Sequence, residues 1–326
     1  MNRAQKFFLR LANGFPLWVL LGAGLALWEP ATALWFRPDW IPFFLALIML
    51  SMGLTLEIAD FARVLKLPKA ILAGVSLQYL VMPGLGFTLA TAFHLPMDYV
   101  IGLVLVASCP GGTASNVVCF IARTNVALSV SLTTVSTLLA VVVTPLLTTW
   151  LVESISRDLT GASIEVDTLG LLTKTFKVVV LPVLAGVFLN HYFSSAVKKI
   201  NAYTPFLAVL AIVFIVDFIL AAKKDAILQT GLTLVGAIVT LHTLGFILGY
   251  IISRWLKFQE VDSQTISIEV GMQNSGLATE LARSNFPDFS LATVPGAISA
   301  LTHCILGSLA AGYCRLRSKK NAGDAG

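Results

Sequence analysis

Apolar residues run along this chain in blocks of roughly twenty, each closed by charged residues or by proline and glycine. The blocks fall at 16–36, 42–58, 69–93, 99–123, 126–152, 169–192, 204–222, 227–254, 263–284 and 291–314. A helix rising about 1.5 Å per residue crosses a hydrocarbon layer of about 30 Å in one such block. The pattern therefore predicts an all-α polytopic membrane protein with about ten transmembrane helices. The polar connection from Glu153 to Asp167 divides these into a first set of five over 1–156 and a second over 157–326.

Two blocks are poor helices. The fourth carries Pro110-Gly111-Gly112 in mid-span, where proline removes a donor and glycine loosens the backbone. The ninth carries Glu269, Gly271, Gln273, Asn274 and Gly276 at membrane depth. Both should break. Ser115 precedes Ala122-Arg123-Thr124-Asn125 at the same distance as Ser275 precedes Ala282-Arg283-Ser284-Asn285, an offset of 160 residues. Matching breaks in the fourth helix of each five-helix half point to two inverted repeats, because an odd number of crossings reverses the second copy.

Composition narrows the class. The chain has 326 residues, 57% hydrophobic and 12% charged, with a mean hydropathy of +0.86. That excludes a soluble protein and leaves no room for a sizeable extramembrane domain. The net charge of +5 does not signal a nucleic-acid partner, since the basic residues scatter through short connections. With the N-terminus inside, one side collects Arg3, Lys6, Arg10, Arg63, Lys66, Lys69, Arg123, Lys198, Lys199, Arg254, Lys257, Arg315, Arg317, Lys319 and Lys320. Arg37, Arg157, Lys174, Lys177, Lys223, Lys224 and Arg283 remain for the other. The bias of about two to one predicts both termini in the cytoplasm. Leu17 to Phe36 contains Glu29-Pro30 and no small-residue cleavage site, so it reads as a retained first helix. Cys109, Cys119, Cys304 and Cys314 have neither disulfide nor zinc spacing.

Unwound backbone in hydrocarbon needs partners, so two breaks in equivalent positions predict one shared site. Half-helix N-termini suit an anion, and freed carbonyls suit a hard cation. Glu269 is costly at membrane depth unless it meets a cation, a proton or a basic group. The oxygen-bearing residues around the breaks are Ser115, Asn116, Ser129, Thr133 and Gln273. Without clustered His or Cys, that set suits sodium better than a transition metal. Plainer roles exist for each. A membrane Ser or Thr can bond its own backbone, Thr113 and Asn116 can cap a half-helix, and Gln78 can serve as a helix contact. Glu269 can act as a protonated interhelical donor, and His94, His191 and His242 read as loop, interface or packing residues.

Cys109-Pro-Gly-Gly-Thr-Ala-Ser-Asn116, Asn125-Val-Ala-Leu-Ser-Val with Ser136-Thr137, and Ile268-Glu-Val-Gly-Met-Gln-Asn-Ser-Gly276 carry a family resemblance. Here the chain resembles the bile acid:sodium symporter family, including its bacterial members. The resemblance implies a panel domain of helices one, two, six and seven, and a core in which the broken helices four and nine cross. It implies two sodium ions as co-substrates and no organic cofactor. One site would use Ser115, Asn116, Ser129, Thr133 and Glu269; the second Gln78, Glu269, Gln273 and the carbonyls of Val270 and Met272. Thr113 and Asn274, with His303 and Cys304, would face the organic anion. The family pattern has His-Asn where this chain has His303-Cys304, and a thiol lacks the amide's strong donor and acceptor. A bile-acid-like steroid and a small monocarboxylate, such as pyruvate or a pantothenate precursor, both stay open. The expectation is a monomeric sodium-coupled symporter of the bacterial inner membrane, working by alternating access, and not an enzyme. The alternatives are a proton-coupled carrier on the same fold, a membrane sensor, and an intramembrane hydrolase using Ser115 or His303. The last has no Gly-x-Ser-x-Gly or His-Glu-x-x-His to support it.

Overall fold

A peptide group in hydrocarbon finds no water, so each apolar block closes its hydrogen bonds internally as a helix. The structure, a computed structural model, describes residues 7–323 apart from 9–10, 13, 58, 61–63, 65 and 202. Arg3, Lys6, Arg10 and Arg63 of the predicted charge bias lie outside the described residues. The helices are α1 (Phe15–Trp28), α2 (Ile41–Thr55), α3 (Pro68–Ala92), α4 (Met97–Ser108), α5 (Ala114–Ala122), α6 (Val126–Thr160) and α7 (Thr168–Thr175). They continue with α8 (Leu181–Tyr192), α9 (Ser194–Ile200), α10 (Thr204–Ala222), α11 (Lys224–Trp255), α12 (Glu260–Gly271), α13 (Ser275–Asn285) and α14 (Val294–Gly323).

Among the described residues, 7 stretches are long and apolar enough to cross a membrane: Pro38–Thr55, Pro68–Ala92, Val126–Leu159, Thr168–Tyr192, Thr204–Ala222, Leu232–Trp255 and Val294–Arg317. The fourth and ninth blocks break as expected, into α4 and α5 and into α12 and α13. Four elements differ from the sequence expectation, one of them α14, which starts at Val294 and runs on to Gly323, beyond 314. The first helix ends at Trp28 and not at 36, because Pro30 pulls Glu29 out of the helical region, to ψ 87°. The fifth runs on to Thr160, beyond 152, and stops where Gly161 takes φ +75°. The sixth is interrupted by a π turn over Phe176–Val180, next to Pro182, which has no N–H for the regular ladder.

Two groups of helices pack around the breaks. In one, α2 lies along α8, and α10 lies along α1 and α2. In the other, α3 packs on α4, α6 and α11, while α14 packs on α4, α5, α11 and α13. At one end of the bundle Glu260 joins Arg317 at 3.2 Å and Arg254 at 3.6 Å, and Asn125 Nδ2 donates to Asp262 at 2.8 Å. At the other, Asp98 accepts from the Leu291 N–H at 3.0 Å. Asp98 and Asp262 stand in the first turns of α4 and α12, so each broken helix braces the far corner of the other.

The two unwound segments cross as an antiparallel pair at Gly111 and Gln273. Gly112 N–H donates to the Met272 carbonyl at 2.8 Å, and Asn274 N–H to the Pro110 carbonyl at 2.9 Å. This approach requires both glycines. A Cβ on Gly111 would stand 2.5 Å from Glu269 Oε1, and one on Gly112 would stand 2.7 Å from the Gln273 carbonyl oxygen. The Gly112→Ala variant is therefore expected to lose about 1–3 kcal/mol to overpacking. Scanning fluorimetry of the detergent-purified chain should show a melting point lower by about 2–4 °C; an unchanged melting point would contradict this crossing geometry.

Candidate functional site

Glu269 lies in the last turn of α12 and is buried with 3% exposure, far too little for water to solvate it. Its carboxylate accepts from Ser115 Oγ at 2.7 Å, from Ser129 Oγ at 3.0 Å and from Thr133 Oγ1. Asn116 Oδ1 completes the cluster, 2.8 Å from Ser129 Oγ and 3.5 Å from Thr133 Oγ1. Ser129 and Thr133 share a face one turn apart on α6, while Ser115 and Asn116 open α5. All five residues predicted for the first cation site thus converge. The cluster is rich in oxygen and poor in hydrogen. The hydroxyls of Ser115, Ser129 and Thr133 bring one proton each, whereas both Glu269 oxygens, Asn116 Oδ1 and the Ser129 carbonyl all lie within their reach.

A second oxygen group gathers around Gln78 and Gln273. Gln78 of α3 donates Nε2 to Gln273 Oε1 at 2.7 Å and to the Cys109 carbonyl at 2.9 Å. Those two acceptors fix its amide orientation and leave Gln78 Oε1 buried without a hydrogen-bond partner. Gln273 Nε2 in turn donates to the Val270 carbonyl at 2.8 Å. A buried acceptor without a donor costs about 1–3 kcal/mol, which a bound cation would recover. Among the described residues no three His, Cys, Asp or Glu side chains gather to hold a metal; the groups that do gather around Glu269 and Gln78 offer oxygen, the donor a hard cation takes.

The break carbonyls are less free than the sequence suggested. Met272 accepts from Gly112 N–H, Val270 from Gln273 Nε2, Gly271 faces His242 Nδ1, and Ser108 accepts from Thr144 Oγ1. Each keeps a second lone pair, so Val270 and Met272 retain coordinating capacity.

On the opposite side of the crossing, a pocket lies between the two helix groups. Thr113, Gln273, Asn274 and His303 line it, with Leu45 and Ile48 of α2 across from them. Next to it runs a cleft lined by Ile48, Met52, Thr113, Asn116, Val209 and Ile212. The N-termini of α5 and α13 both reach the pocket, bringing two positive dipole ends together. Asn274 caps α13 by accepting from Leu277 N–H at 3.1 Å, whereas Thr113 makes no side-chain cap. Cys304 does not line this pocket; about 100° around α14 from His303, it is buried in the hydrophobic core. Sequence reasoning also missed His242, Ser299 and Ser275, which form a hydrogen-bonded row behind His303. The available signal was a histidine within an apolar helix, followed by Gly245 and Gly249 on the same face.

The model of the "Sodium Bile acid symporter family" matches residues 42–230. The chain is 45% identical over 314 residues to the probable sodium/metabolite cotransporter BASS1, chloroplastic, of Arabidopsis thaliana, covering 96% of this chain and 76% of that one. It is 37% identical over 320 residues to the uncharacterized sodium-dependent transporter YocS of Bacillus subtilis (strain 168), covering 98% of this chain and 96% of that one. Among solved structures, the sodium proton antiporter MjNhaP1 from Methanocaldococcus jannaschii shares the fold. The TM-score is 0.57 at 16% identity, over 96% of this chain and 97% of that one. The chain belongs to the sodium bile acid symporter family.

Proposed function

We infer that this protein is a sodium-coupled symporter that carries a small organic anion across the membrane by alternating access. The observation that carries this reading is the hydrogen-poor oxygen cluster around Glu269, together with the unpartnered Gln78 Oε1 beside Gln273 of the same break. A proton taken up by Glu269 would leave Gln78 Oε1 unmatched. A sodium ion at each place neutralises the carboxylate and uses every spare lone pair. Ser115, Asn116, Ser129, Thr133 and Glu269 hold the first ion; Gln78, Glu269, Gln273 and the carbonyls of Val270 and Met272 hold the second. Relatives named as sodium-dependent transporters and sodium/metabolite cotransporters support the cation and argue against an enzyme.

The anion sits in the pocket where the N-termini of α5 and α13 meet, beside Thr113, Asn274 and His303. Cys304 is turned into the core, and the pocket itself encloses only about 380 Å³, which favours a small monocarboxylate over a steroid. Adding α1 and the two broken spans to the seven stretches gives ten crossings in two inverted five-helix halves, 1–156 and 157–326. The reciprocal braces of Asp98 and Asp262 support that symmetry. α1, α2, α8 and α10 act as the panel against which the remaining core rocks. The protein works as a monomer in the bacterial inner membrane. Both termini are cytoplasmic, on the side where Arg254 and Arg317 gather.

Sodium binding alone should raise the melting point of the purified chain over matched choline chloride, by about 2.7 kcal/mol of stability at a hundredfold excess over Kd. Glu269→Ala is expected to abolish this response together with sodium-dependent uptake, and Thr133→Val to shift the sodium midpoint about tenfold, or 1.4 kcal/mol. Sodium-coupled uptake that survives in Glu269→Ala would reject the assignment. In proteoliposomes, choline substitution at constant pH should stop uptake, whereas a proton-coupled carrier would continue. Two cations with one monoanion move net positive charge, so an inside-negative potential should accelerate uptake with about 2.3 kcal/mol per 100 mV. A rate independent of potential would reject that stoichiometry.

A further inference from the structure

Gly271 ends α12, and its carbonyl has lost the helical partner that a continuous helix would supply. His242 of α11 stands in, with Nδ1 2.8 Å from that oxygen. On the other side of the ring, Nε2 is 2.8 Å from Ser299 Oγ, and Ser299 Oγ is 2.7 Å from Ser275 Oγ, the first residue of α13. Ser275 Oγ then reaches His303 Nδ1 at 3.4 Å, one turn beyond Ser299 on α14. The rings of His242 and His303 meet edge to face with centroids 5.5 Å apart. His242 and Ser299 are fully buried. The approach of α11 is close enough for this because Gly245 and Gly249 face α12: a Cβ on Gly249 would stand 3.1 Å from Ser267 Cα.

This row has a direction. A carbonyl can only accept, so His242 Nδ1 bears the hydrogen, and Nε2 of the neutral ring can only accept. Ser299 must therefore donate its single proton to His242 and accept from Ser275. The Ser275 proton is then committed, so toward His303 its oxygen accepts and His303 Nδ1 bears the hydrogen. The tautomer of a pocket-lining histidine is thus set by a carbonyl at the end of α12, two residues from Glu269.

We propose that His242 and Ser299 are positioning residues that transmit cation occupancy at the end of α12 to the anion-facing side, by tying Gly271 to Ser275 and His303. The inference rests on the sodium-symporter reading. It adds a specific route for the coupling, through side chains that touch neither ion nor anion. Without that route, cation binding would still order α12, but the first turn of α13 and the His303 segment would not respond.

The test is hydrogen exchange by mass spectrometry on the full-length purified chain, in sodium chloride against choline chloride. In the wild type, sodium should slow exchange both at 264–274 and at 297–306. Ser299→Ala removes one oxygen and opens the row. It is expected to keep the sodium midpoint within about twofold and the protection at 264–274, while the sodium-dependent protection at 297–306 falls at least about fivefold. His242→Asn retains a donor toward Gly271 but cannot reach Ser299, and should give the same pattern if Ser299→Ala proves unstable. Exchange at 297–306 that still slows with sodium in both variants would overturn the proposal, and so would exchange that rises equally in both salts. A wild type that shows no sodium-dependent protection at either segment would instead reject the sodium reading on which the proposal rests.

Discussion

Everything in this molecule depends on the contact between two stretches of backbone that are not helical. In hydrocarbon an unpaired peptide group costs several kcal/mol, yet Pro110–Gly112 and Met272–Asn274 meet there and satisfy each other through two backbone hydrogen bonds. The glycines make the approach possible, and the approach delivers Glu269 across the first break into a ring of hydroxyls from α5 and α6. Remove the crossing, and the carboxylate has no cluster, the half-helices have no common pocket, and the cost of the breaks has no offset.

The two sides of the crossing use opposite halves of the same backbone asymmetry. On one, carbonyl, amide and carboxylate oxygens exceed the available hydrogens, an arrangement suited to a cation. On the other, the first turns of α5 and α13 present N–H groups that suit an anion. A single break per span supplies both, because unwinding one helix exposes a C-terminal end and an N-terminal end at the same depth. This is how two interrupted helices, whose halves are each too short to span, offer what two complete ones could not.

Much of this was legible in the residues. Pro110-Gly111-Gly112 and the polar run from Glu269 to Gly276 announced the breaks, since hydrocarbon leaves few other reasons for such residues. Convergence of Ser115, Ser129 and Thr133 on Glu269 followed from helical spacing on α6 together with the family resemblance. Other features were hidden for identifiable reasons. Trp28 ends its helix because of Pro30, six residues before the apolar block runs out, so hydropathy alone overshot. Thr160 lies beyond the apolar block because a helix, once formed, continues through polar residues into water until Gly161 stops it. Cys304 was placed at the pocket by analogy with an amide, but its position on α14 turns it toward the core. His242 looked like packing because its partners are a carbonyl and a serine from distant segments, and no local pattern encodes such a meeting. The paired copies of Ala-Arg-x-Asn also diverge in use. Asn125 caps α6, whereas Asn285 bonds back to its own helix at Leu281.

The cleft beside the crossing is walled on the α2 and α10 side by Ile48, Met52, Val209 and Ile212. These four side chains form no directional bonds, so along them the proposed rocking would meet little beyond the weak Asn274 Nδ2 to Met49 Sδ contact at 4.0 Å, and methionine adapts its shape as it goes. Under the proposed alternating access, the boundary would behave as a dry bearing. Friction along it would be spread over many weak dispersion contacts that re-form at each offset, leaving the position of the moving half to be decided by whichever charges it carries.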